Sequence, residues 1–177
     1  GTPRGPSIHL LGYFLHGEPG AEFRDWVLEL QAQRYERNAR MIERLRALGV
    51  DVTLDEVSAL SGSLPGRPHF ARVLLTKGCV PDYDSAFREY LGDQGKAYVA
   101  RQSPEVGDAI RRVQQAGGVV SLAHPVRLTK YGARFGEFVT RMAGLGLDAI
   151  EIYHSEHSSA DVEQFRALAS DHGLLAT

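Results

Sequence analysis

The spacing of apolar residues divides the chain into two stretches of different character. From residue 23 to residue 48, apolar side chains recur on one face with a period near 3.6, which predicts one long helix. Shorter helical patterns continue to residue 95, where Thr53 and Glu56 form a capping-box pair and Pro68 suits the first turn of a helix. Residues 18–95 are therefore predicted to be almost entirely helical.

Outside this stretch, short apolar strands alternate with amphipathic helices. Strands are predicted over 8–14, 119–123 and 147–153, and helices over 103–116, 134–145 and 159–172. This alternation is typical of βαβ units, so we expect a parallel sheet that is buried on both faces. The predicted fold class is α/β, with the sheet formed by 1–17 and 96–177 and a helical insertion over 18–95.

Composition narrows the classes of protein that the sequence can encode. A net charge of −2 gives no bulk attraction for long duplex nucleic acid. No apolar run approaches the roughly 18 residues of a membrane helix, and no signal-peptide pattern opens the sequence. Cys79 is the only cysteine and is expected to be inert packing. We therefore expect a cytoplasmic protein that does not contact membranes.

Histidines follow or flank the predicted strands. His124 comes directly after one strand, His154 after the next, and His9 lies within the first. Because the carboxyl ends of parallel strands lie at one edge of a sheet, these imidazoles are expected to meet there. A metal ion is one partner for them and a backbone carbonyl is another, so position alone leaves a structural role for His124 open.

Basic residues in the helical stretch form a second set of candidates. Arg67 and His69 flank Pro68 at the predicted start of a helix, where free backbone N–H groups favour a phosphate. Polar residues that are simply solvated at a helix start explain them equally well. Arg34 and Arg37 lie in the middle of the apolar face of the long helix. Their guanidinium groups either bind phosphate oxygens or extend past the core into water. Glu151 lies opposite its apolar neighbours and is expected to pair with an arginine or lysine, with an acid in the interior of a barrel as the alternative.

Seven stretches, taken in order, resemble the PHP (polymerase and histidinol phosphatase) family of metal-dependent phosphoesterases. The similarity is to the subgroup of RNase AM-type 5′-3′ exoribonucleases and nucleoside 3′,5′-bisphosphate phosphatases. The matching stretches are "IHLLGY", "RNARMIERL", "GRPHFARVL", "YLGDQGKAYV", "AGGVVSLAHP", "DAIEIYHSEHS" and "HGLLAT". The resemblance implies a partial distorted (β/α)7 barrel with an inserted helical subdomain.

The resemblance also implies roles for individual residues. His9 and His124 match metal ligands of a trinuclear centre, for which Mn²⁺ is expected and Fe²⁺ or Zn²⁺ are alternatives. Positions that face the substrate phosphate are matched by Arg34, Arg37, Arg67 and His69. His154 matches a position near the pocket and is grouped with the substrate-binding residues, although the resemblance does not define its role. The implied reaction is hydrolysis of phosphate esters of nucleotides or short RNA by a metal-activated water, with no protein nucleophile.

Departures from the family pattern limit what this stretch is expected to do alone. The sequence lacks four elements of the family pattern: the opening HxH, the following Asp and His, a Glu before the first strand and a closing "SDFH". Most of the metal ligands are therefore expected outside this stretch, and the stretch alone is expected to be inactive. Two other functions stay open. A metal-dependent amidohydrolase also uses strand-end histidines but does not need the arginines, and a non-catalytic binding module would lack the metal.

Overall fold

The chain forms two compact units, which are described in a computed structural model for residues 8–62, 64–129 and 134–177. One unit comprises Gly1–Arg24 and Pro104–Thr177, and the other comprises Asp25–Ser103. We refer to them as the sheet unit and the helical unit. The division falls inside the long helix, after its first turn, so that helix contributes residues to both.

The secondary structure agrees with the predicted elements to within a few residues. In chain order the helices are Ala21–Ala47 (α1), Leu54–Ser58 (α2), Arg67–Thr76 (α3), Tyr83–Ala86 (α4), Val106–Gln115 (α5), Val126–Thr129 (α6), Arg134–Gly144 (α7) and Ser159–Asp171 (α8). A π-helical turn, Phe87–Leu91, continues α4. The strands are Leu10–Tyr13 (β1), Val119–Leu122 (β2), Ala149–Ile150 (β3) and Leu175–Ala176 (β4).

Within the described residues, the four strands form one sheet in the order β1-β2-β3-β4. β2, β3 and β4 run parallel, with Leu122 opposite Ile150, whereas β1 runs antiparallel to β2, with Leu10 opposite Leu122. The expectation of an all-parallel sheet is therefore wrong for β1. The apolar pattern of a strand is the same in both directions, so it could not give the direction in which β1 runs.

The core of the sheet unit lies on one face of the sheet, under α5, α7 and α8. Its buried members are Ile110, Val113, Val120, Leu122, Leu128, Phe135, Val139, Met142, Leu147, Ile150, Ile152, Phe165 and Ala169. β1 is less covered than predicted, because Leu11 and Tyr13 are each 37% exposed. Burial on both faces therefore does not hold for this strand.

The helical unit has a separate core and well-defined helix starts. The predicted capping box is confirmed: Thr53 Oγ1 accepts the Glu56 N–H at 3.2 Å, and the Glu56 carboxylate accepts the Thr53 N–H at 2.8 Å. The buried core residues are Met41, Ile42, Leu45, Val50, Val52, Val57, Phe70, Ala71, Val73, Leu74, Val80, Ala86, Leu91, Ala97 and Val99.

The long helix α1 does not bury one continuous apolar face. Its buried residues are Asn38, Met41, Ile42 and Leu45, whereas Leu48 is 44% exposed. Phe23, near the start of α1, packs instead against the core of the sheet unit. Periodicity gives the direction in which side chains project but not which of them a neighbouring element covers.

In the described parts of the chain, every helix is too short or too polar to cross a lipid bilayer.

Candidate functional site

Strand pairing brings His9 and His124 together at one end of β1 and β2. The Ala123 N–H donates to the His9 carbonyl at 3.0 Å, extending the β1–β2 ladder by one residue. His124 follows Ala123, and its Nε2 lies 3.0 Å from His9 Nδ1. The two rings meet edge to face, with centroids 4.9 Å apart. The antiparallel direction of β1 therefore creates this pair of imidazoles.

The backbone of His124 is held in an uncommon conformation by a carboxylate from the next strand. His124 has φ of +31°, which non-glycine residues rarely adopt, although histidine does so more readily than most. Its backbone N–H donates to Glu151 Oε2. The expected pairing of Glu151 with an arginine or lysine is met by attraction to Arg127, whose pKa is raised by Glu156 and then by Glu151. The carboxylate of Glu151 directly binds the backbone of His124. Parallel pairing of β2 with β3 places it there.

Two further histidines continue the row from the segment after β3. The ring centroids of His154 and His124 lie 5.9 Å apart, and those of His157 and His154 lie 5.3 Å apart. His154 Nδ1 accepts the Glu156 N–H at 3.1 Å, while His157 Nδ1 lies 2.8 Å from the Ile152 carbonyl. Since a carbonyl only accepts, Nδ1 of His157 carries its proton.

The histidine pair fits part of a metal site. Imidazole nitrogens 3.0 Å apart share either a proton or one divalent cation, and borderline metals favour such ligands. Nδ1 of His124 is buried and has no hydrogen-bond partner among the described residues. No group of three or more histidine, cysteine, aspartate or glutamate ligands occurs in the part of the chain described. His9 and His124 therefore offer two imidazole nitrogens, which are fewer than a complete metal centre needs.

In the helical unit, Arg34 lies against the turn that precedes α3. Its Nε donates to the Pro65 carbonyl at 3.3 Å, and the buried Asn38 donates to the same carbonyl at 2.9 Å. A Cβ atom at Gly66 would lie 2.8 Å from Arg34 Nη2, so glycine there allows the guanidinium to lie directly on the backbone. The turn and the arginine are therefore packed as one structure.

Arg37 and Arg67 both contact the segment Tyr98–Val99. Arg37 Nε donates to the Val99 carbonyl at 3.0 Å. The guanidinium carbon of Arg67 lies 5.9 Å from the centre of the Tyr98 ring, and Arg67 Nη1 donates to Asp93 at 3.0 Å. We call Arg34, Arg37, Arg67 and Arg101 the arginine cluster.

The electrostatics of the arginine cluster show like charges held close together. The pKa of Arg34 is lowered by burial and then by repulsion from Arg101. The pKa of Arg37 is lowered by burial and then by repulsion from Arg67 and Arg101. No salt bridge to a carboxylate is formed by Arg34, Arg37 or Arg101 within the described residues. Such a cluster favours an anion that neutralises it.

His69 is fixed in one tautomer by the start of its own helix. Its Nδ1 accepts the Gly66 N–H at 3.0 Å, in the position of a capping-box side chain. A nitrogen that accepts a hydrogen bond is unprotonated, so the N–H of the neutral ring lies on Nε2. His69 is therefore prepared to donate a hydrogen bond.

The structure thus gathers the predicted residues into two groups, one in each unit. His9, His124 and His154 lie together in the sheet unit. Arg34, Arg37, Arg67 and His69 lie around α3 and the Tyr98–Val99 segment in the helical unit.

Sequence reasoning missed His157 and Arg101. His157 stands three residues after His154 in "HSEHS", and that spacing was a usable signal. Arg101 follows a short irregular segment, so no periodicity linked it to Arg34 and Arg37. Its proximity to them arises only from the fold.

Curated proteins similar to this chain include a phosphatase and an exoribonuclease. The chain is 30% identical over 148 residues to a 3′,5′-nucleoside bisphosphate phosphatase of Chromobacterium violaceum, covering 77% of the chain and 51% of the relative. It is 30% identical over 126 residues to a 5′-3′ exoribonuclease of Haemophilus influenzae, covering 70% and 46%. The chain spans about half the length of these curated relatives. No protein-family model matches the sequence.

Two solved structures share the fold. A protein of Bifidobacterium adolescentis assigned as a metal-dependent phosphoesterase matches with a TM-score of 0.70 and 29% identity, over 96% of this chain and 60% of its own. A Chromobacterium violaceum protein described as an amidohydrolase, with bound sulfate and no metal, matches with a TM-score of 0.73 and 28% identity over the same shares. The chain is therefore a mixed α/β protein similar to hydrolases of the phosphoesterase type.

Proposed function

We propose that the whole protein is a metal-dependent phosphoesterase that hydrolyses phosphate esters of nucleotides or of short RNA ends. The observation that carries this proposal is the arginine cluster, in which Arg34 and Arg37 are partly buried, repel their neighbours and have no carboxylate partner among the described residues. A multiply charged anion compensates such a group, and a phosphate ester presents the oxygens that guanidinium groups bind in pairs.

We assign the two groups of residues to separate tasks in this reaction. His9 and His124 would hold a divalent cation, which would supply an activated water and neutralise phosphoryl charge when bound. Glu151 keeps the backbone of His124 in place for this role. In the helical unit, Arg34, Arg37 and Arg67 would bind phosphate oxygens and His69 would donate through Nε2–H. In the sheet unit, His154 would donate through Nε2–H. No protein nucleophile is needed.

The same proposal extends to the fold and the metal. The sheet unit would be part of a distorted (β/α)7 barrel of the PHP type, and the helical unit would be a subdomain inserted after β1. The remaining ligands of a trinuclear centre, with Mn²⁺ the expected ion, would lie outside this stretch. The names of the relatives, which act on a nucleoside bisphosphate and on RNA, support a small phosphorylated substrate. We expect the whole protein to be cytoplasmic.

An amidohydrolase is the second candidate, because one structural neighbour is described as such. Histidines at strand ends serve amide and phosphate ester hydrolysis equally well. The arginine cluster favours the phosphoesterase, since a neutral amide develops only one negative oxygen and does not require several guanidinium groups.

The test is an assay of the whole protein with Mn²⁺ on nucleoside 3′,5′-bisphosphates, 5′-phosphorylated short RNA and a panel of amides and lactones. We expect phosphate or mononucleotide release and no amide hydrolysis. Arg67→Ala is expected to raise KM about 10-fold or more with unchanged metal content, because a charge-assisted phosphate contact is lost. Arg72→Ala, an exposed change on the same helix, is the matched control.

His124→Ala addresses the metal separately. It is expected to weaken Mn²⁺ binding by about 10- to 100-fold in calorimetric titration, whereas exposed His16→Ala leaves binding unchanged. Hydrolysis of amides alone would overturn the phosphoesterase. A whole protein that binds no divalent ion would overturn the enzyme proposal and favour a binding module.

A further inference from the structure

An ion pair links the segments that carry the candidate histidines. Arg127 lies in α6, three residues after His124, and Glu156 lies two residues after His154. Arg127 Nε donates to Glu156 Oε2 at 2.8 Å, and Arg127 Nη2 donates to Oε1 of the same carboxylate. Both nitrogens of one edge of the guanidinium are therefore engaged, which fixes direction as well as distance between the two segments.

Glu156 also contacts His154 directly through its backbone. The Glu156 N–H donates to His154 Nδ1 at 3.1 Å, so Nδ1 is unprotonated and the neutral ring carries its proton on Nε2. A single residue therefore accepts two hydrogen bonds from Arg127 with its side chain and orients His154 with its main chain. The position of this N–H depends on where the carboxylate anchors the residue.

The strength of the pair supports a positioning role despite its exposure. The hydrogen bonds from Arg127 lower the pKa of Glu156 to about 2, and the pair raises the pKa of Arg127. Roughly half of each side chain is exposed, at 51% and 46%, so the pair contributes little to global stability. Its effect is therefore local, on the geometry of the two segments.

We propose that Arg127 and Glu156 are positioning residues that hold His154 in its Nε2–H tautomer. This inference rests on the proposed function, in which that N–H donates to the substrate phosphate. Glu151 holds the His124 backbone in the same manner, so two carboxylates that follow β3 each bind the segment that follows β2. The ion pair secures the donor, and the Glu151 contact secures the candidate metal ligand.

The experiment measures the tautomer of His154 in the whole protein by ¹⁵N NMR of the imidazole nitrogens at about pH 8, above the ordinary range of histidine protonation. Glu156→Ala is expected to convert a single Nε2–H form into a mixture of tautomers. Arg127→Ala is expected to do the same while leaving residue 156 unchanged. Asp108→Ala, which breaks the exposed Asp108–Arg111 pair on α5, is the control and leaves His154 unaffected.

The kinetic readout is a rise in KM for the phosphate ester of about threefold to tenfold in both variants, as expected when one oriented hydrogen bond is lost. Unchanged nitrogen shifts in either Glu156→Ala or Arg127→Ala would overturn the inference. Because the tautomer is measured without metal or substrate, its failure is distinct from failure of the proposed function. A protein whose tautomer responds as expected but which hydrolyses no phosphate ester would refute only the latter.

Discussion

At the scale of a single residue, Gly66 lies between the start of α3 and the guanidinium of Arg34. It precedes α3, where its N–H binds His69, and its Cα faces the guanidinium of Arg34. Any side chain at this position would occupy the space in which Arg34 Nη2 lies. The backbone at Gly66 has φ of −130°, which any residue adopts, so the requirement for glycine comes from the arginine and not from the turn.

Gly66→Ala is therefore expected to displace Arg34 while leaving the fold intact. The added Cβ would lie 2.8 Å from Nη2, which is the end of a flexible side chain and moves at little cost. We expect a change in the free energy of unfolding below about 1 kcal/mol and a severalfold weaker affinity for inorganic phosphate. Urea unfolding and calorimetric titration with phosphate measure the two effects.

Gly62→Ala is the matched control, because no atom of the described residues lies within 4 Å of a Cβ at that position. Phosphate binding by Gly66→Ala that equals binding by Gly62→Ala would remove Arg34 from the anion site.

At the scale of elements, the connection from α5 to β2 is fixed by close packing. α5 buries Ile110 and Val113 against the sheet, and Gly118 lies between this helix and Phe14. A Cβ at Gly118 would lie 2.8 Å from both Phe14 Cε1 and Val113 Cγ1. The antiparallel strand β1 therefore approaches β2 with no free space at this point.

Gly118→Ala is expected to destabilise the protein by about 1–3 kcal/mol, because buried Val113 and half-buried Phe14 must move to accept one methyl group. Gly136→Ala is the opposite case: Gly136 lies in α7, and none of the residues that the structure describes comes within 4 Å of its Cβ position. We expect that change to stabilise the protein by about 0.5–1 kcal/mol, since alanine favours the helix. Thermal and urea unfolding measure the free energy of unfolding of both variants. Equal changes in the two variants would contradict this account of the packing.

At the scale of the whole molecule, charge is unevenly distributed although the net charge is only −2. The arginine cluster gathers like charges in the helical unit, whereas the sheet unit pairs Arg127 with Glu156. Pairing lowers the pKa of Glu156 from 4.5 to about 2, so the folded state binds that proton more weakly than the unfolded state does. The pair is screened by solvent and therefore makes only a small contribution to the stability of the fold above pH 4.5, and this contribution is lost as the pH falls toward 2.

The expected result concerns the difference in the free energy of unfolding between the protein and Glu156→Gln. This difference is expected to be constant above about pH 5.5 and to shrink toward zero as the pH falls through about 4.5 to 2. Urea unfolding across this range measures the difference. Glu163→Gln, at an exposed position of α8, is the control for removing a carboxylate. A difference that does not vary between pH 6 and pH 2 would contradict the assigned ion pair.

Much of the fold could be predicted because apolar periodicity and capping are local properties. The helices and strands fall close to their predicted positions, and Thr53 with Glu56 forms the expected cap. The antiparallel direction of β1 and the exposure of Leu48 could not be predicted, because a periodic pattern carries neither strand direction nor the identity of the covering element.

The candidate site likewise has features that the local sequence predicts and features that it does not. The sequence by itself determined which residues carry chemistry: the strand-end imidazoles of His9, His124 and His154, and the basic residues around "GRPHF". Only the tertiary structure decided that His9 meets His124 at 3.0 Å, that Glu151 binds a backbone N–H, and that Arg101 approaches Arg34 and Arg37. The physical reason is range, since side-chain type and periodicity are encoded within a few residues, whereas these contacts join residues that strand pairing and loop packing bring together from distant positions.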